Sequence, residues 1–200
     1  MHNPGLPHIK ALKHLLRYLS TTRAFGLVYN CRVSGSKTGV YGYYDASHAD
    51  CPDTRKSTLA YVYYLGNCLI SWHTKLHSFI TTSTNHSEYC AAAKAAREAK
   101  FLHSLFNAIG FPALVGPIDL FSDSKGSIAM AYNPVHRAVS KHVDLADHYS
   151  RELQERGIIT ISYVNTKDMR ADLLTKALAR PQFDYLVPFL VRPIQSVKST

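Results

Sequence analysis

Three short runs rich in Tyr, Val, Leu and Ile follow one another at residues 39–45, 58–65 and 68–74, and only Gly66-Asn67 separates the last two. Such a dipeptide between β-prone runs is a tight-hairpin signal, because a two-residue connection needs residues that tolerate positive φ. The first half of the main body therefore reads as antiparallel strands. The period then changes. Apolar residues at 92, 96, 99, 102, 106 and 109 mark one face of a helix expected over about 87–109, which stops at Gly110 with Pro112 just beyond. A strand at 117–122, a short helix near 125–132 and a break at Asn133-Pro134 follow. A helix at about 141–156 ending at Gly157, a strand over Ile158–Val164 and a helix near 169–179 complete the order βββαβααβα. Three antiparallel strands followed by helical crossovers predict an α/β fold: a mixed five-stranded sheet with helices packed against it.

Residues 1–38 read as a separate piece. From Ile9 to Leu19 the apolar positions 9, 12, 15, 16 and 19 keep helical spacing, with Lys10, Lys13, His14 and Arg17 on the other faces. A short basic amphipathic helix is expected there, followed by a turn at 32–38. The stretch 181–200 is weakly patterned. A net charge of +9 and a pI of about 9.4 make an acidic partner the expected one, nucleic acid first. Cys31, Cys51, Cys68 and Cys90 are widely spaced with no C-x-x-C pair, which reads as reduced intracellular thiols rather than a disulfide framework. No stretch approaches the ~18 apolar residues of a membrane span, and no apolar signal region opens the chain, so a soluble intracellular protein is expected.

Four acids stand where separate elements end or begin. Asp45 closes the strand Val40-Tyr41-Gly42-Tyr43-Tyr44-Asp45, Glu88 opens the long helix, Asp123 follows the fourth strand, and Asp172 lies in the first turn of the last helix. Each has an ordinary explanation: a turn residue at 45, the third position of a capping box Asn85-His86-Ser87-Glu88, a cap at 123, and a charge complementing the helix dipole at 172. Together they carry more. The first and fourth strands can be neighbours, and helices that begin beside their ends can each add a carboxylate. Converging acids repel one another unless a cation lies between them. All-oxygen donors suit Mg²⁺ or Mn²⁺ rather than zinc. Two such ions about 3.5–4 Å apart form a site that hydrolyses phosphodiesters.

Ordered motifs carry a family resemblance. The strings Tyr43-Tyr44-Asp45-Ala46-Ser47-His48-Ala49-Asp50, Asp53-Thr54-Arg55-Lys56-Ser57-Thr58, Leu65-Gly66-Asn67, Ile70-Ser71-Trp72, Ser87-Glu88-Tyr89, Ser122-Asp123-Ser124, Lys141-His142-Val143-Asp144 and Ala171-Asp172-Leu173-Leu174-Thr175-Lys176 resemble the ribonuclease H domain of copia-type LTR retrotransposon Pol polyproteins. His2-Asn3-Pro4-Gly5 through Leu19 resembles the end of the reverse transcriptase thumb of the same polyproteins. The resemblance implies an RNase H-like domain at 39–180 preceded by a thumb or connection remnant at 1–38 and followed by the tail at 181–200. It implies a metal-dependent endonuclease that hydrolyses the RNA strand of an RNA–DNA hybrid. The catalytic and metal-binding acids would be Asp45, Glu88, Asp123 and Asp172, holding two Mg²⁺ ions with Mn²⁺ as a substitute. A reverse transcriptase domain of the same element is an implied partner, and the cytoplasm (in virus-like particles) or the nucleus the implied place. Two departures stand out. The family usually reads Asp-Ala-Asp-Trp where this chain has Asp45-Ala46-Ser47-His48, and the loop Asn165-Thr166-Lys167-Asp168-Met169 lacks the His that many cellular ribonucleases H carry there.

Arg55, Lys56, Lys75, Lys141 and His142 are the expected nucleic-acid contacts, positioning the duplex through its phosphates. Trp72 is expected in the core rather than as a base-stacking platform, and Tyr41, Tyr43, Tyr61 and Tyr63 as sheet packing. His142 and His148, six apart, share no metal-binding face. Three readings are open at this level: an active hybrid nuclease, a catalytically idle nucleic-acid-binding remnant, and a structural subdomain that supports a reverse transcriptase in trans.

Overall fold

The computed structural model describes residues 3–29, 38–132 and 149–194. Its centre is a sheet built from β2 (Val40–Ser47), β3 (Thr58–Leu65), β4 (Cys68–Leu76), β5 (Ile118–Ser122) and β6 (Ile159–Tyr163). The strand order is β4-β3-β2-β5-β6. The first three strands pair antiparallel, whereas β5 lies parallel to β2 and β6 parallel to β5. The hairpin between β3 and β4 turns on Gly66, whose φ of 61° is the left-handed value the turn requires. The mixed five-stranded sheet expected from the pattern is thus present, and β2 sits at its middle with a partner on each side.

Alternation along the strands sorts the sheet into two faces. One face, with Val40, Tyr44, Ala46, Leu59 and Tyr63, packs under α2 (Thr84–Ala108) through Tyr89, Ala92, Ala95, Ala96 and Ala99. Small alanines let the helix lie close over the tyrosine rings. Gly42 belongs to the same fit: a Cβ there would come within 2.7 Å of the Tyr63 ring. The opposite face gathers Tyr41, Tyr43, Val62, Tyr64 and Leu69 against Met169 and Ala171. β5 leads into α3 (Lys125–Tyr132), and the helical residues 149–155 (α4) lead into β6. The first part of the helix expected at 141–156, the Asn133-Pro134 break and the turn at 32–38 lie wholly or mostly outside the described residues.

Three local expectations are corrected. The helix expected near 169–179 is shorter: a 3₁₀ turn spans Thr166–Asp168, and α5 covers only Asp172–Thr175. The weakly patterned stretch after 180 contains α6 (Arg180–Leu190), with Leu186 fully buried. β7 (Arg192–Pro193) follows and pairs antiparallel with β1 (Phe25–Gly26). The anchor is Arg170, whose guanidinium lies 4.0 Å from the Phe189 ring centroid and 4.7 and 4.8 Å from those of Tyr64 and Tyr43. With the Tyr41 ring at 5.8 Å, a cation among four aromatic rings holds α6 to the sheet by an attraction that hydrophobic periodicity does not display. Trp72 is 51% exposed rather than in the core. It sits on the edge strand β4, where burial fades from Leu69 outward.

α1 (Leu6–Thr21) is helical as its spacing predicts, yet none of its residues is buried. Among the described residues Cys51, Cys68 and Cys90 form no disulfide. No helix of the described residues is long and apolar enough to cross a membrane.

Candidate metal centre

Asp45 lies inside β2, opposite Ala60 of β3, and is fully buried. The turn explanation for it therefore fails. Glu88 lies on α2, but the helix starts earlier than the capping-box reading supposes: Ser83 is the cap, and its Oγ accepts from the backbone N–H of His86. Glu88 is thus in the second turn, 4% exposed, and caps nothing. Asp123 follows β5 directly. The capping of α3 falls to Ser124, whose Oγ accepts from Ser127 N–H at 3.2 Å. Each of these acids has lost its ordinary explanation.

The three converge. Asp45, Glu88 and Asp123 each present an oxygen such that all lie within 4.8 Å of one another. Parallel pairing of β2 with β5 brings Asp123 beside Asp45, and the packing of α2 over β2 brings in Glu88. Asp172, at the start of α5, joins from the other side and is linked to Asp45 through one side chain: Lys176 Nζ donates to Asp45 Oδ1 at 3.2 Å and to Asp172 Oδ1 at 2.7 Å. Thr175 Oγ1 donates to the second oxygen of Asp45, and Thr166 Oγ1 donates to Asp123 Oδ2 at 2.8 Å.

The protonation behaviour follows from burial and mutual repulsion. Burial, then the neighbouring Asp45 and Asp123 carboxylates, push Glu88 up to about 9, against the pull of Lys176. Burial raises Asp172 to about 6, with the hydrogen bond from Lys176 opposing and Asp45 adding. Burial alone would lower Lys176, but Asp45 and Asp172 outweigh it and hold the ammonium above its ordinary value. Glu88 Oε2 is buried and without a hydrogen-bond partner. An orphaned carboxylate oxygen facing two further carboxylates is what a hard divalent cation satisfies, so these donors fit Mg²⁺ or Mn²⁺.

The nearby polar shell was only half legible. His48 Nδ1 lies 3.2 Å from Thr81 Oγ1 and 3.4 Å from Ser87 Oγ, and Ser57 Oγ lies 2.7 Å from Thr81 Oγ1. The residue where the chain departs from its family pattern thus ties the end of β2 to the first turn of α2. Thr175 and Lys176 were missed as neighbours of Asp45. The Asp172–Lys176 spacing of four on a helix was the available signal.

The expected nucleic-acid contacts are spread out. Arg55 is exposed on the 51–57 loop with a φ of 54°, beside half-buried Lys56. Lys75 is exposed on β4 and, with Lys94 and Arg97 of α2, borders a pocket of about 250 Å³. Lys141 and His142 lie outside the described residues.

The strand order, the parallel crossovers and the carboxylates at their mouth define a ribonuclease H fold. The N-terminal RNase H domain of a Mycobacterium tuberculosis protein is similar with a TM-score of 0.51 and 13% identity, over 76% of this chain and 96% of that one. The chain is similar in sequence to copia-type, retrovirus-related Pol polyproteins. It is 33% identical over 183 residues to the Pol polyprotein from transposon RE1 of Arabidopsis thaliana, covering 92% of this chain and 12% of the polyprotein. The Pol polyprotein from transposon TNT 1-94 of Nicotiana tabacum is 31% identical over 184 residues, 92% of this chain and 13% of that one. The chain spans about an eighth of the length of these relatives. No family model matches it.

Proposed function

We propose that the chain is a divalent-metal-dependent ribonuclease H that hydrolyses the RNA strand of RNA–DNA hybrids. The observation that carries this reading is the convergence of Asp45, Glu88 and Asp123, with the buried Glu88 Oε2 unpartnered among them. Similarity to the Pol polyproteins and the ribonuclease H fold support it. Asp45 would be shared between two ions, with Glu88 and Asp123 holding one and Asp172 the other. Mg²⁺ or Mn²⁺, when bound, supplies the charge that activates a water and stabilises the leaving oxygen. The chain's part is positioning. Thr175 fixes the Asp45 carboxylate and Thr166 that of Asp123, and burial of Asp45 and Glu88 strengthens every charge interaction at the site.

Substrate handling follows from the charge of +9. Arg55, Lys56, Lys75, Lys141 and His142 would contact phosphates, and RNA would be distinguished through its 2′-hydroxyls. Residues 39–180 form the nuclease unit in this reading, with 1–38 the end of a polymerase segment and a reverse transcriptase domain of the same element the partner, inside the cell. Incubating the chain with a labelled hybrid and Mg²⁺, beside Asp123→Asn, tests it. We expect cutting by the wild type alone. Equal cutting by both, or none by either, sinks the nuclease reading, and tight binding without cutting supports an idle nucleic-acid-binding remnant.

A further inference from the structure

The four acids are not equivalent. On one side of Asp45, Glu88 and Asp123 bring oxygens within 4.8 Å, and Glu88 Oε2 has no partner. On the other side the place between Asp45 and Asp172 is taken by an ammonium. Lys176 Nζ is 3.2 Å from Asp45 Oδ1 and 2.7 Å from Asp172 Oδ1, and the two carboxylates are 0% and 5% exposed. α5 builds this arrangement locally. Lys176 follows Asp172 by one helical turn, so the pair forms from the helix itself, and the adjacent Thr175 donates to the other Asp45 oxygen. Both Asp45 oxygens are therefore engaged by the end of α5. A single positive charge stands where the second divalent ion of a two-ion site would have to sit.

We infer that Lys176 is a tethered cation that occupies the position between Asp45 and Asp172 in the free chain. The chain then takes up one divalent ion, at Asp45, Glu88 and Asp123, and admits a second at Asp172 only when the ammonium has left. This inference rests on the reading of the acids as metal ligands. Lys176 acts through Asp45 and Asp172 and is a positioning residue: it keeps two buried carboxylates side by side before any substrate arrives. A hybrid phosphate is the natural group to draw it away, since a lysine ammonium pairs well with phosphate oxygens. Recruitment of the second ion is thereby coupled to substrate.

The test is a count of bound Mn²⁺ on the full chain without nucleic acid, read from the loss of the free-ion electron paramagnetic resonance signal. The wild type and Lys176→Arg bind one ion per chain. Lys176→Met, which keeps the stem and removes the charge, binds two, and the first of them more tightly by on the order of tenfold. Asp172→Asn binds one ion with the affinity of the wild type, because Asp172 does not serve the first site. Two ions in the wild type falling to one in Asp172→Asn overturns the inference, as does a count of one in a folded Lys176→Met. Should Lys176→Met fail to fold, the wild type, Lys176→Arg and Asp172→Asn decide between these outcomes alone. Asp123→Asn separates the two levels: if it binds the ion as the wild type does, the reading of the acids as ligands fails and the inference falls with it.

Discussion

α1 and α2 are both apolar on one side, and their fates are opposite. Leu6, Leu12, Leu15, Leu16 and Leu19 of α1 are 46–74% exposed, whereas Tyr89, Ala92, Ala95, Ala96, Ala99 and Leu102 of α2 are buried. The better amphipath is the one that, among the described residues, has nothing under it. Helical spacing shows that a segment can form a helix with one face suited to burial; it does not supply the surface. What seats α2 is complementarity. Its alanines fit between the buried rings of Tyr44 and Tyr63, and that close approach sets Glu88 against Asp45. Packing and chemistry are carried by the same helix.

The largest expected effect tests that seat. Ala95→Asp puts an unpaired charge at a position with no exposure, with no cation three or four residues away on its helix and none on the sheet face it packs against. A loss of about 3–5 kcal/mol is expected, read as a fall in the urea midpoint, with much of the chain unfolded at ambient conditions. A small effect would mean that α2 is no better anchored than α1.

Glu88→Gln separates the two tasks of α2. Hybrid cleavage with Mg²⁺ should fall by at least about a hundredfold, equivalent to about 2.7 kcal/mol of transition-state stabilisation. Thermal stability without metal should hold or rise, because a buried carboxyl with an unpartnered oxygen gives way to a neutral amide. A variant that loses stability and keeps its cleavage would return Glu88 to a structural role.

How far these features could be read from the chain depends on the range of the interaction. The hairpin at Gly66 is local, and so was legible. The start of α2 is local too, yet Ser83, Thr84, Asn85 and Ser87 are all good caps by type, and only the fold chooses Ser83. That choice moved Glu88 from a capping position into the site. The four acids were found because each falls close to a strand end or a helix start, where topology gathers side chains. Lys176 was overlooked as a site residue because its second partner, Asp45, is 131 positions away. α6 was hidden for a similar reason: its anchor is Arg170 among the rings of Tyr41, Tyr43, Tyr64 and Phe189, an attraction with no periodicity.

The third test uses pH. Glu88 is held near 9 in the folded chain against 4.5 ordinarily, so the folded state binds the extra proton between these values. Stability from this group is therefore present at low pH and lost as pH rises toward about 9. Asp172, raised to about 6, acts in the same direction over the lower part of that window. Without divalent ions, urea stability should fall by on the order of 2 kcal/mol more in the wild type than in Glu88→Gln between about pH 5 and 8. Saturating Mn²⁺ should abolish the difference, since the ion replaces the proton. Parallel profiles for the two proteins would place Glu88 outside the repelling cluster.

The smallest expected effect falls on α1. Leu12→Asp introduces a charge on its apolar stripe, at a residue already 46% exposed and within a helix that buries nothing. The change should shift the urea midpoint by no more than about 0.5 kcal/mol, an ordinary surface value. Cleavage and Mn²⁺ binding should be unchanged, because α1 contributes no side chain to the acids or to the sheet faces beneath them. A loss of even 2 kcal/mol, on the scale of a buried leucine, would show that the stripe is covered in solution. The contrast with α2 would then be one of partner rather than of burial.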